Sequence, residues 1–306
     1  MKRIDPNINE FFLAEDYANA ASAENTKLAY GKDIDRFVAW GGKIPTNAEQ
    51  ISAYIAEHAT THKPATLSRW IAAISVAHQK AGFDSPTHGI EVRHTLRGVK
   101  RKVGTKQRRV EPLTLEMATA IVDKLPESLA AKRDKAIVLI GFSAAMRRSE
   151  VIRLKVEDLT DDVRGIVLDF WKSKTNQEGA GHSEVAIPKA RNPKYCPILA
   201  LKEWMSVAKI SEGPIFRSIN RYGDIGEDAL STQAIANIVK KLVRSIGVDA
   251  TNYSGHSLRS GLVTSAVKAK KPKHKIREIT RHASDSMLDI YIRDAEQFED
   301  NAADLL

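Results

Sequence analysis

Apolar side chains recur at helical intervals through residues 6–100, with none of the alternation that marks a strand. Leu28, Tyr30, Ile34, Phe37, Val38 and Trp40 fall near helical spacing in a segment that Thr26 can cap and Gly41-Gly42 ends. The pattern returns over 47–58. It returns again over 66–81 through Leu67, Trp70, Ile71, Ile74 and Ala77, with Gly82 at the C-terminal end. A compact bundle of four or five short helices is predicted.

From Pro112 the pattern changes. LTLEMATAIVDKL reads as a capped helix, and the strongly apolar stretch 136–145 belongs to a helix that should be buried. Residues 164–170, RGIVLDF, end in a strand-like run that SEVAIP, 183–188, can pair with. Between them 171–182, rich in Lys, Ser, Asn and Gly, reads as a hairpin or flexible loop. Helices are expected again over 197–208, over 231–246, and from His256 onward after a Ser254-Gly255 turn. The fold class is therefore mainly α with a small β-hairpin or sheet in the C-terminal domain (α+β). A length of 306 residues also favours two domains. Their expected extents are 1–100, a linker over 101–111, and 112–306.

Composition narrows the classes. Hydrophobic residues make up 42% and charged residues 28%, enough for a core in each domain of a soluble protein. The single cysteine, Cys196, excludes an intrachain disulfide and a cysteine-based zinc site. The longest apolar stretch, 136–146, is too short to span a bilayer, and MKRIDPNINEFF holds no run of signal-peptide length. A cytoplasmic chain with no membrane partner is expected. The formal charge is +9. Residues 1–100 hold 12 Lys/Arg against 11 Asp/Glu, 101–110 hold five against none, and the remainder 30 against 27. More than half of the excess thus sits in RKVGTKQRRV. Such a block suits a segment tracking a phosphate backbone, and equally a solvated linker.

Three groups of residues carry candidate chemistry. In Ala144-Ala145-Met146-Arg147-Arg148-Ser149-Glu150, one helix ends and another begins, with Glu150 a turn from Arg147 to orient a charged neighbour. Three H-x-x-R pairs occur, His94/Arg97, His256/Arg259 and His274/Arg277, and only the second follows a Ser-Gly turn and opens an apolar helix. Tyr291, one of seven tyrosines, stands nine residues after Arg281-His282. Each group alone is weak: an arginine cluster, a chance pair, a surface tyrosine.

Together, and in this order, they resemble the tyrosine recombinases: phage integrases, Xer-type resolvases and Cre-type recombinases. The resemblance is specific over 136–293 and looser before 100. It matches Arg147 and Arg259 to the two arginines, Glu150 to the accompanying acid and His256 to the second-box histidine. His282 matches the third-box histidine, Tyr291 the nucleophile, and Lys174 the hairpin lysine, with Lys172 a neighbouring alternative. Arg281 stands where many members have glycine, and Ala144-Ala145 where threonine-glycine is common.

The resemblance implies a two-domain enzyme, with a helical, SAM-like core-binding domain before a catalytic domain. It implies site-specific cleavage and rejoining of DNA through a 3′-phosphotyrosine, without cofactor or metal. Double-stranded DNA with inverted-repeat core sites would be the partner. A homo-tetramer would assemble on two such sites from chains monomeric when free, in a bacterium or archaeon and on a mobile element, phage or plasmid. Lys100, Arg101, Lys102, Lys106, Arg108 and Arg109 would follow phosphates. Gln233 in the helix before the second box could read adenine, and Arg69 with Lys63 could touch phosphate or base edges. The tail 296–306 would dock on a neighbouring protomer or pack on its own domain. A type IB topoisomerase or telomere-resolving enzyme would use the same chemistry. A non-catalytic regulator on an integrase scaffold would have no chemical use for Tyr291, and a metal-dependent nuclease would need clustered acids, which are scattered here.

Overall fold

A computed structural model describes residues 24–105, 110–170, 184–281, 288–289 and 291–292. The chain divides into two compact units, one ending at Arg108 and the other beginning at Arg109.

The first unit contains four helices among its described residues: α1 (Glu24–Ala39), α2 (Ala48–Glu57), α3 (Pro64–Lys80) and α4 (Ile90–Val103). Thr26 lies inside α1 rather than capping it. Of the apolar residues expected to line α1, Phe37 is fully buried, but Leu28 and Val38 face solvent. Asn47 caps α2, accepting from the Gln50 N–H at 2.8 Å. Pro64 opens α3, where its missing N–H is no loss. Phe37, Ile51, Tyr54, Ile55, Leu67, Trp70, Ile74, Val92 and Val99 form the core. α4 continues through Val103, so Arg101 and Lys102, expected in the linker, are helical like Lys100. They occupy the last turn, where cations offset the partial negative charge of the carbonyl end.

The second unit is built around α6 (Leu129–Ser143), every residue of which from Ala136 to Phe142 is buried. α5 (Leu115–Lys124), α8 (Pro197–Val207) and α10 (His256–Lys268) pack against it. The strands β1 (Leu159–Asp162), β2 (Gly165–Asp169) and β3 (Glu184–Pro188) form an antiparallel sheet in that order. Ile166 stands opposite Ile187, and Leu168 opposite Val185, and these four close one face over the core. The expected pairing of 164–170 with 183–188 is present, and β1 extends it. A second hairpin, β4 (Arg217–Ile219) with β5 (Ile225–Ala229), precedes α9 (Thr232–Ser245), whose N-cap is Ser231. The helix expected from His256 onward is two: α10 ends before Lys270, in the left-handed region, and α11 (Lys273–Thr280) follows Pro272. Among the described residues no helix is long and apolar enough to cross a membrane.

Candidate active site

The site begins where α6 stops. Ala145 adopts φ +47°, a left-handed conformation that closes a helix but is rare for a residue with a Cβ. The turn brings Met146 N–H onto the Gly141 carbonyl at 2.9 Å. Arg147 follows in extended conformation, and α7 (Arg148–Arg153) starts immediately. Glu150 secures that start: one carboxylate oxygen accepts the Arg147 N–H at 2.8 Å, the other the Arg147 Nη1 at 2.7 Å.

α10 supplies the second half. Ser254 Oγ accepts the His256 N–H at 3.2 Å, and Ser257 Oγ accepts the Ser254 N–H at 2.9 Å, so the turn is fixed by its own side chains. Two glycines let this helix approach its neighbours. A Cβ on Gly255 would stand 2.7 Å from the Cβ of Arg148, and one on Gly261 would overlap the Leu113 carbonyl. The close approach draws His256 and Arg259 up to the Arg147 segment. Arg259 is 1% exposed, and its Nη1 donates to the Ala145 carbonyl at 2.8 Å. The two competing H-x-x-R pairs lie on α4 and α11 with all four residues exposed.

Tyr291 completes the constellation: its Oη stands 3.5 Å from His256 Nε2. It packs with Ile292 against Val263, Val267, Ile276 and Leu288. In the sequence Arg281 is notable only for standing where many tyrosine recombinases have glycine. It sits instead inside the cluster, in the left-handed region at φ +54°, donating Nη2 to Glu150 Oε2 at 2.8 Å. Its Nη1 donates to the carbonyls of Ile279 at 2.9 Å and Ala144 at 3.3 Å, and its guanidinium lies over the Phe170 ring. A charged residue directly after a helix, at a position suited to glycine, was the available signal.

Electrostatics follow from these contacts. Three guanidiniums, Arg147, Arg259 and Arg281, surround one carboxylate, Glu150, leaving +2 on these four groups. Burial would raise the Glu150 pKa, but Arg281 and then Arg147 outweigh it and hold the carboxyl below its usual range. Burial, aided by repulsion from Arg147, pushes Arg259 down to about 9, still cationic at neutral pH. Burial likewise lowers His256, with Arg259 and Arg147 adding to it, which leaves the ring neutral and able to accept a proton. Nη2 of Arg259 is buried with no hydrogen-bond partner among the described residues. A buried cation with an idle donor is costly unless an anion completes it. Such a pocket can take an anion beside a tyrosine hydroxyl.

The remaining expected site residues are placed as follows. Lys174, Lys172, His282, Lys106, Arg108, Arg109 and the tail 296–306 lie outside the described residues. Lys100, Arg101 and Lys102 are exposed. Gln233 is exposed on α9 and donates to Asn237 Oδ1 at 3.0 Å. Arg69 is held by Asp33 through Nε at 2.7 Å and Nη2 at 2.9 Å, so two of its donors are engaged by a carboxylate although the side chain is half-exposed. Among the described residues no three of His, Cys, Asp and Glu gather as a metal-holding group.

Comparison with known proteins points the same way. Residues 111–297 match the phage integrase family. The integrase/recombinase xerD homolog of Selenomonas ruminantium is 36% identical over 98% of this chain and 90% of its own length. The fold is similar to the Tn1549 transposon integrase in complex with transposon right end DNA, with TM-score 0.65 and 13% identity over 94% of this chain and 96% of that one. It is also similar to a lambda integrase tetramer bound to a Holliday junction, with TM-score 0.59 and 16% identity over 92% and 75% of the two chains.

Proposed function

The chain belongs to the phage integrase family and is a tyrosine recombinase, and on that premise we propose that Tyr291 is its nucleophile and the guanidinium pocket its phosphate site. One observation carries the reading: the Tyr291 hydroxyl stands beside a neutral histidine, next to a buried arginine whose idle N–H calls for an anion. Tyr291 Oη attacks the scissile phosphorus, its proton passing to His256 Nε2. The bond from phosphorus to the 5′ oxygen breaks, and that oxygen takes a proton from Lys174. Arg147 and Arg259 hold the non-bridging oxygens as their charge grows in the transition state. His282 donates a hydrogen bond to the same phosphate. The product is a 3′-phosphotyrosine and a free 5′ hydroxyl. Because the ester keeps the bond energy, a 5′ hydroxyl reverses the step without ATP.

The partner in this reading is double-stranded DNA bearing inverted-repeat core sites, and the active assembly is a tetramer on two such sites. The DNA in the named complex of one similar integrase and the tetramer in that of another support a DNA partner and a tetrameric assembly. Recombination is favoured over topoisomerase-like relaxation, telomere resolution or a non-catalytic regulator because the relative is named an integrase/recombinase. Lys100, Arg101 and Lys102, with Lys106, Arg108 and Arg109, contribute phosphate contacts. Any contact by Arg69 or Gln233 must share a side chain already bonded within the protein. The core-binding role goes to the first unit, the chemistry to the second.

The test is Tyr291→Phe on a nicked duplex selected from a random-sequence pool by binding to the full-length protein. Covalent adduct should vanish while DNA affinity stays within about twofold, since only the attacking oxygen is removed. Retained adduct, or lost binding, refutes the assignment.

A further inference from the structure

Arg281 forms more side-chain contacts than any step above requires of it. Its side chain is 6% exposed, and four separate parts of the second unit meet on its guanidinium. They are the Ala144 carbonyl at the end of α6, the Glu150 carboxylate in α7, the Ile279 carbonyl in α11, and the face of Phe170 at the end of β2. Only its Nε has no hydrogen-bond partner among the described residues. Each contact leads to a part of the proposed machinery. Ala144 belongs to the turn that sets Arg147 and whose next carbonyl receives Arg259. Glu150 grips the Arg147 guanidinium directly. Phe170 is the last described residue before the segment that holds Lys174, and Arg281 itself precedes His282.

We propose that Arg281 is a positioning residue for DNA cleavage: it braces Glu150 and the Ala144-Ala145 turn so that the Arg147 guanidinium stands fixed in the phosphate site. This rests on reading Arg147 as a phosphate clamp. The physical need is clear from Glu150. Its Oε2 accepts from the Arg147 N–H and from Arg281, while Oε1 accepts from Arg147 Nη1. Without Arg281 the buried carboxylate keeps only its two bonds to Arg147 itself, and the Arg147–Glu150 pair loses its tie to the end of α11. Arg281 is also the first of the groups that hold Glu150 ionised. The charged and titratable groups facing Glu150 are Arg147 ahead of α7, Arg281 at the end of α11, and Arg259 with His256 on α10. Removing Arg281 therefore moves Glu150 toward protonation, and a protonated acid orients arginine poorly.

Glycine suits the left-handed backbone here, so Arg281→Gly deletes the guanidinium without straining the chain. Arg281→Lys keeps the charge and loses the planar fork. Single-turnover cleavage of the selected nicked duplex, at saturating protein, should fall at least about tenfold in both variants, as expected when a clamp is displaced by a fraction of an ångström. DNA affinity should stay within about twofold, because Arg281 makes no DNA contact in this account. In Arg281→Gly the acid limb of the cleavage–pH profile should move to higher pH as protonation of Glu150 joins that of His256, and millimolar guanidinium should restore part of the rate. A purely structural role would move stability and leave the profile in place. If Arg281→Gly does not fold, Arg281→Lys decides by the same rate criterion. Cleavage within about twofold of wild type in either folded variant overturns the proposal, as does an unmoved acid limb in a folded Arg281→Gly. Failure of the underlying reading shows separately, as Arg147→Ala cleaving at the wild-type rate.

Discussion

Each unit buries a carboxylate among arginines, and the two sites are built to opposite ends. In the first unit Asp33, 2% exposed, is held by Arg69 and Arg36, both of whose side chains are nearly half in water. The surplus positive charge there is solvated, and the ion pair ties α1 to α3. In the second unit Glu150 faces Arg147 and Arg281, with Arg259 behind them, and Arg259 and Arg281 are almost completely buried. There the surplus charge stays inside, and Nη2 of Arg259 has no hydrogen-bond partner among the described residues. A solvated surplus is structural. A buried surplus is completed only when an anion joins it.

The contrast is broken most severely at Arg259. Arg259→Ala should cut single-turnover cleavage by roughly a thousandfold, as for loss of a transition-state charge donor. It should leave the melting temperature unchanged or raised, because a buried like charge is relieved. A large loss of stability would make Arg259 a structural residue like Arg69. Inorganic sulfate offers a companion check: it should raise the melting temperature of wild type more than that of Arg259→Ala.

Acidity gives the next largest effect. The His256 pKa is lowered in the folded protein, so cleavage should hold as pH falls to 6.5 and decline only below it, when the ring protonates and can no longer accept the tyrosine proton. Stability carries the same sign. The unfolded chain takes up the proton first, so acidification through 6.5 favours unfolding. His256→Gln should remove this acid limb. A limb unchanged in His256→Gln assigns it to another group.

How much of this was legible beforehand differs between the sites for a physical reason. The helices announced themselves through period, as in 66–81, and the β2–β3 pairing through the alternation of Ile166, Leu168, Val185 and Ile187. β1, β4 and β5 did not, because LTDD, RSI and IGEDA are short and largely polar, with only Leu159, Ile219 and Ile225 packed on the core. Leu28 and Val38 misled because six apolar residues in α1 exceed what one buried stripe takes. Arg147, His256, Arg259 and Tyr291 were legible from their order along the chain. Arg281 was not, since its meaning lies in a contact with Glu150, 131 residues away. Arg69 was legible as a cation, but its partner Asp33, 36 residues earlier, carries no signature.

The smallest effects belong to the first unit. Asp33→Ala should lower stability by about 1–3 kcal/mol by stranding Arg69 and Arg36, less than for a fully buried pair because water reaches both arginines. In urea unfolding the loss should appear without any change in single-turnover cleavage by pre-bound protein. Arg69→Ala should cost still less. A cleavage defect in either variant at saturating protein would erase the distinction drawn between the sites.

The central claim is that the buried surplus of charge holds the phosphate that Tyr291 attacks. Trapping the covalent complex on the selected nicked duplex, digesting it and sequencing the nucleotide-bearing peptide tests this directly. The account expects a 3′-phosphate ester on Tyr291 and no adduct in Arg259→Ala within the time wild type takes to react. Attachment at any other residue, or through a 5′-phosphate, would contradict it.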